Sequence, residues 1–216
     1  MKKWTARLVI LLSLLAAIPA FPAQNPDAEK KPESAEKPEA QKEKTFEETI
    51  KGAKPIKGLF TLYQTEEKVF LEIQPNQLDK MYILSLTCES GLGEGGFYGA
   101  EMCGQTPVVF HKEGKTIQLI AKNTRFVAKE GLPIQRAVNR SFSDSILGSS
   151  KLASLPQPAR QSFLVDFGDF LLADVPMYGY ALELSFRFPY RFDPKNSYFG
   201  TLKSFEKNVE IETVAH

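Results

Sequence analysis

The chain has 216 residues, with 27 Lys and Arg against 26 Asp and Glu, a formal net charge of +1 and 43% hydrophobic residues. That composition is ordinary for a globular chain with one domain's worth of core, and a charge so near zero argues against a nucleic-acid footprint, which needs a clustered basic excess. Sixteen Phe and seven Tyr, many of them in alternating runs, favour β over α structure.

The start reads as a secretory signal. Lys2, Lys3 and Arg7 form a positive segment, residues 8–18 an apolar run, and Ala20 and Ala23 are small residues suited to cleavage. The run is shorter than the roughly 20 residues that span a bilayer, and no cysteine comes after it to suggest a lipoprotein. The expectation is a cleaved signal over 1–23 and an exported protein, periplasmic or extracellular. Residues 24–44 are largely Lys, Glu, Pro and Ala, without an aromatic or β-branched side chain, and are expected to be a disordered tether. The folded domain is then 45–216.

Thr45-Phe-Glu-Glu48 fits a capping box opening a short amphipathic helix through Ile50 and Ala53, which Gly52 and Pro55 cut off. The stretch 55–79 is the one on which the rest of the domain is organised. It reads as two strands, with Thr61 and Tyr63 facing away from Phe60 and Leu62, and Val69, Leu71 and Ile73 facing away from Phe70 and Glu72. Period two is the mark of a half-buried sheet. Thr65-Glu66-Glu67 is short enough to force a hairpin, and Pro75 ends the second strand. One helical turn is expected at 77–80.

Strands are predicted at 81–87, 107–110, 116–121 and 124–128, with a glycine-rich excursion over 89–104 and a turn at Lys112-Glu-Gly-Lys115. Residues 141–155 show weak helical character, with Ser143 as N-cap. Residues 163–165 are short and apolar, and 166–172 fit a helical turn capped by Asp166. The clearest alternation sets Tyr180, Leu182, Leu184, Phe186 and Phe188 against Ala181, Glu183, Ser185 and Arg187, and predicts a strand that covers a core. A last strand is expected at 208–214. Because the sequence stops at His216 with no turn or polar tail, sequence and part of the sheet are expected to be missing there. The fold class is mainly β with a few short helices, a β-rich α+β chain whose antiparallel sheet or sandwich is built on hairpins.

The residues offer little catalytic chemistry. Gly91-Leu-Gly-Glu-Gly-Gly96 matches G-x-G-x-x-G after a strand, but Phe97-Tyr98-Gly99 comes next where a helix should receive phosphates, so a tight glycine loop is the better reading. The histidines are His111, expected at a strand end on the surface, and His216. No serine sits in G-x-S-x-G, and Ser143-Asp144-Ser145 is read as a cap. Asp166, Asp169 and Asp174 could gather around Ca²⁺, yet their spacing fits no EF-hand loop, and caps and turns explain them better. Arg187 and Arg191 beside Glu183 and Asp193 look like surface pairs. No H-E-x-x-H occurs. No catalytic, cofactor-binding or metal-ligating residue is therefore expected in this chain. Cys88 and Cys103 are the only cysteines, and in an exported protein such a pair points to a disulfide rather than a metal site, which two ligands cannot close.

Several stretches also carry a family resemblance. Phe46-Glu-Glu-Thr-Ile-Lys51, Ile56-Lys-Gly-Leu-Phe-Thr-Leu-Tyr63 and Lys68-Val-Phe-Leu-Glu-Ile-Gln-Pro-Asn-Gln-Leu78 come first. Ser90-Gly-Leu-Gly93, Phe97-Tyr98-Gly99, Val165-Asp166 with Asp174, Tyr190-Arg-Phe-Asp193, Asn196-Ser-Tyr198 and Phe205-Glu-Lys-Asn-Val-Glu210 come after them in order. Together they resemble the N-terminal domains, of unknown function, of large bacterial exported zinc-dependent metalloproteases with a metzincin-like catalytic domain. The zinc-binding H-E-x-x-H-x-x-G-x-x-H run of that family is absent, so no catalytic or metal residue carries over, and zinc is expected only in a missing catalytic domain. The resemblance implies a non-catalytic accessory region that packs on a downstream protease domain in cis, or on a peptide or protein partner. The alternative is a stand-alone periplasmic or secreted β-rich module binding a peptide or apolar ligand. Neither reading includes nucleic acid, or a membrane after signal cleavage.

Overall fold

Local signals set the first elements of the computed structural model, which describes residues 43–175 and 177–216. The expected signal, 1–23, and the tether as far as residue 42 lie outside the described residues. Glu43 and Lys44, at the end of that tether, already touch the domain: Glu43 pairs with Lys115, and the Lys44 carbonyl accepts the Leu155 N–H at 2.9 Å. Helix α1 (Phe46–Thr49) opens on the capping box, in which Glu48 N–H donates to Thr45 Oγ1 at 3.2 Å and Thr45 N–H to Glu48 Oε2 at 2.8 Å. Gly52, at φ 78°, turns the chain out of it. Strands β1 (Lys54–Ile56), β2 (Thr61–Gln64) and β3 (Val69–Ile73) come next, antiparallel, with Leu62 opposite Leu71. Pro55 stands on the edge strand β1, where a missing N–H breaks no ladder. The hairpin is closed by Thr65, whose hydroxyl accepts the Lys68 N–H at 2.9 Å. Pro75 does end β3, but it opens the 3₁₀ turn itself (Pro75–Gln77), two residues ahead of the turn expected at 77–80.

The second sheet holds three further corrections. Strands β4 (Tyr82–Cys88) and β5 (Glu101–Glu113) pair from Tyr82↔Val108 to Cys88↔Glu101, so the glycine excursion ends at Ala100 and the strand resumes six residues before Pro107. Next, β6 (Thr116–Ala121) forms as expected after a turn at Gly114. Residues 124–128 do not form a strand. Asn123 bends them into a turn instead, its Oδ1 accepting the N–H groups of Arg125 and Phe126, both at 3.2 Å. The helix is α2 (Pro133–Ser141), ahead of the 141–155 expected, because Pro133 takes the first helical position, where no N–H is needed. Ser145–Lys151 is strand β7, held in register on β6.

Strand β8 (Phe163–Asp166) returns to the first sheet beside β3. The helical turn expected at 166–172 is α3 (Gly168–Leu171), with Asp166 Oδ1 accepting the Gly168 N–H at 2.9 Å. The predicted strand at 180–188 is overturned: Tyr178–Phe186 is helix α4. Both carboxylate oxygens of Asp174 accept its first N–H groups, from Tyr178 at 2.6 Å and Gly179 at 2.8 Å. Helix formation is thus nucleated before the alternation begins, and the alternating side chains cover no core. The chain closes with β9 (Tyr198–Ser204), not anticipated from sequence, and β10 (Val209–Val214), a hairpin forming its own two-stranded sheet.

The architecture is mainly β: three antiparallel sheets of order β1-β2-β3-β8, β4-β5-β6-β7 and β9-β10, with four short helices and no barrel among the described residues. The main core lies between the two larger sheets. Leu62, Leu71 and Val165 from one meet Val108, Ile117 and Leu119 from the other, and Phe170 of α3 is buried among them. Each such side chain contributes about 1.5–3 kcal/mol. A smaller cluster, Phe46, Tyr63, Phe70 and Leu164, covers the opposite face of the first sheet. The hairpin faces are those read from the alternation, but β3 is buried at all five positions rather than half-buried. The β9–β10 hairpin packs on the main core through Leu202, Val209 and Ile211.

Candidate functional site

The charged side chain that burial singles out among the described residues is Glu72 on β3, only 4% exposed. A carboxylate there must be hydrogen-bonded, and it has three donors. Ser162 Oγ donates to Oε1 at 2.5 Å, Arg160 Nε to the same oxygen at 2.9 Å, and Tyr63 OH to Oε2 at 2.9 Å. Burial first, and then the hydrogen bond to Glu72, push the Tyr63 hydroxyl up to about 12. The Arg160 guanidinium, raised by its hydrogen bond to Glu72, also lies over the Phe46 ring at 5.9 Å. Both carboxylate oxygens accept hydrogen bonds and Phe46 of α1 packs beside the cluster, so the arrangement can fix β2, β3 and the 157–162 loop in place.

A second site is built around the cysteines. Pairing of β4 with β5 brings Cys88 and Cys103 to disulfide distance, with Cα atoms 5.9 Å apart, as a bridge requires. Between them Gly93, Gly95 and Gly96 take φ of 78°, 64° and 85°, and Leu92 N–H and Gly93 N–H both donate to the Phe97 carbonyl. These are turn glycines, with no helix behind them to receive a phosphate. The loop carries Phe97 against Tyr178 and Phe186 of α4, ring centroids 6.3 Å apart in each case. Tyr178 OH also touches Cys88 Sγ. A Cβ at Gly95 would fall 2.5 Å from the Phe186 ring. Burial, and then the Asp174 charge, raise the Tyr178 hydroxyl.

Helix α4 is the unusual partner. Of its nine residues only Glu183 is charged, and none is buried. A helix apolar on nearly every side is normally enclosed, yet Tyr180 is 58% and Leu184 52% exposed. Met177 and Phe188, which flank the helix in sequence, are exposed too, as are Leu92 and Tyr98 of the glycine loop. Single exposed apolar residues are ordinary, whereas contiguous groups mark contact surfaces.

The other residues singled out from sequence are dispersed. His111 stands half-exposed on β5, its Nδ1 2.7 Å from Asp79 Oδ1. The His216 ring stacks near Tyr198. Asp144 caps no helix: its carboxylate accepts the Asn123 N–H at 2.8 Å and pairs with Lys122. Asp166 pairs with Lys68 at 2.7 Å, and that hydrogen bond raises the Lys68 ammonium; Asp169 accepts from Ser150 Oγ at 2.6 Å, and Asp174 caps α4. Among the described residues no three His, Cys, Asp or Glu side chains gather as metal ligands would. Arg191 pairs with Glu183 at 3.1 Å, as expected, while Arg187 ends α4 at φ 58°. An open cleft of about 400 Å³ lies beside the Lys68–Asp166 pair, floored by Leu172 and Phe199. No helix of the described residues is long and apolar enough to cross a membrane.

The model of a family described as a domain of unknown function (DUF5117) matches residues 100–216, a span that takes in β5 to β10 and leaves out α1 to β4. The first sheet therefore crosses the boundary of the match, with β8 inside it and its other strands outside. No curated protein and no solved structure matches the chain.

Proposed function

The chain belongs to the DUF5117 family, and on that premise we propose that it is a non-catalytic accessory region of an exported zinc-dependent metalloprotease, packing on a catalytic domain outside this chain. The observation that carries the reading is α4: an apolar helix with no buried residue, packed against Phe97 of the glycine loop and flanked in sequence by exposed Met177 and Phe188. Such a surface fits the desolvated centre of an interface with another folded body. The sequence resemblance supplies the kind of body, and the cysteine pair accords with an oxidising compartment. On this reading zinc and peptide hydrolysis belong to the partner, since this chain carries no H-E-x-x-H.

The test is association. The chain is titrated calorimetrically against a metzincin-like catalytic domain encoded in the same genome. Saturable binding is expected, with Leu184→Glu and Tyr180→Glu each weakening it at least about tenfold, as central apolar interface residues do. Absence of binding, or binding indifferent to both substitutions, overturns the proposal. The rival reading, a self-sufficient module for a peptide or apolar ligand, has the cleft beside Lys68 and Asp166 in its favour, but a charged rim suits polar ligands better than apolar ones.

A further inference from the structure

Between β6 and β7 the chain makes an excursion that the proposed packing surface does not use. Its base is clamped. Asp144 holds Asn123 N–H and Lys122, and Asn123 Nδ2 donates to the carbonyls of Phe126 and Phe142, both at 2.9 Å. The Phe126 and Phe142 rings stack with centroids 4.0 Å apart.

Above the clamp stands α2, with no buried residue. At 3.6 residues per turn Ile134, Ala137, Val138 and Ser141 fall along one side, and Arg136, Asn139 and Arg140 along the other. The apolar side chains around it face solvent: Ile134 is 59% and Val127 76% exposed, and Phe126, Leu132 and Phe142 are exposed too. Between Asn123 and Ser143 four cations, Arg125, Lys129, Arg136 and Arg140, meet a single carboxylate, Glu130. All four are exposed, and the ion pairs among the described residues include none of them.

We infer that this excursion docks on an anionic lipid surface, Phe126, Val127, Leu132 and Ile134 entering the interface while Arg125, Lys129, Arg136 and Arg140 meet lipid phosphates. A segregated basic and apolar helix lies in that position, and exposed cations of this kind add electrostatic attraction. The apolar residues are exposed around a clamped base, and a fluid surface can take them without shape complementarity. The lone Glu130 leaves the charge of the whole protrusion complementary to an anionic face. This contact departs from the sequence expectation of no membrane partner, and it is separate from α4, whose only charged residue is Glu183.

The experiment is co-sedimentation of the full chain with phosphatidylcholine vesicles, with and without phosphatidylglycerol. Binding is expected to anionic vesicles and to fall as salt is raised. Each neutralised arginine should lower the partition coefficient roughly fivefold, so Arg136→Gln with Arg140→Gln should lower it about 25-fold. Both arginines are exposed, and circular dichroism verifies that the double variant is folded. Leu184→Glu should bind vesicles as the parent does, which separates this inference from the packing role of α4. Equal binding to neutral and anionic vesicles overturns the inference. So does parent-like binding by the double variant, which would assign the lipid contact to the basic and apolar start of the chain. Saturable binding of polyglutamate with no vesicle binding would make the partner a protein and overturn it as well.

Discussion

Glu72 shows how much a single side chain can organise and how little of that is visible beforehand. Its position on β3, facing away from Leu71, could be read from the alternation. Its donors could not: Arg160 and Ser162 lie 88 and 90 residues further on, and only the pairing of β8 with β3 brings them in. The available signal was a glutamate between Phe70 and a tyrosine-bearing neighbour strand, a place where a solvent-facing carboxylate would be out of character. The network has a pH signature through Tyr63. Its hydroxyl ionises near 12 in the folded chain and near 10 when unfolded. The unfolded chain therefore releases this proton first, and stability present below about pH 10 is lost as the pH rises toward 12. Tyr63→Phe should remove the last step of the tyrosinate absorbance titration and reduce the alkaline loss of stability over that window. A last step that survives in the variant would place the shifted hydroxyl elsewhere.

At the scale of elements, legibility followed locality. The capping box of α1, the β2–β3 hairpin and β6 were readable because their determinants lie within a few residues: Thr45 with Glu48, Thr65 with Lys68, and a turn at Gly114. The failures share a different cause. Residues 124–128 have strand-like composition, but the Asn123 side chain satisfies the N–H groups of Arg125 and Phe126 first. The 180–188 alternation suits a strand, yet no sheet edge receives it, and Asp174 supplies the helix N-terminus with two acceptors. The exposed apolar face of α4 was equally illegible, since the alternation that suggested it also implied burial. Asp174→Ala should therefore destabilise α4 by about 1 kcal/mol. Hydrogen exchange at Tyr178 to Leu182 should accelerate several-fold while β3 amides keep their protection. Unchanged exchange in α4 would mean that packing against Phe97, rather than the cap, holds the helix.

For the molecule as a whole, the sheets share one core, so they should stand or fall together. Leu71 is 1% exposed and packs where both larger sheets meet. Leu71→Ala should cost about 2–5 kcal/mol, with far-ultraviolet circular dichroism and tyrosine fluorescence shifting along a single denaturation curve. Two separated curves would show the sheets unfolding independently. The fold class and the main hairpin were within reach of the sequence. The way the chain closes the first sheet was not, and it bears on how the protein is made. Strand β3 has its neighbour β2 at once, across a hairpin of a few residues, but β8 arrives only some 90 residues later, after the whole second sheet has been laid down. Until then the N–H and C=O groups on one edge of β3 lack their partners, on a strand that carries Phe70, Leu71 and Ile73. Non-local closure of this kind slows assembly, because loop-closure entropy is lost before the contacts form. A half-synthesised chain thus leaves an apolar strand edge open until β8 arrives, and that edge is where a holdase would bind or a neighbouring nascent chain would add.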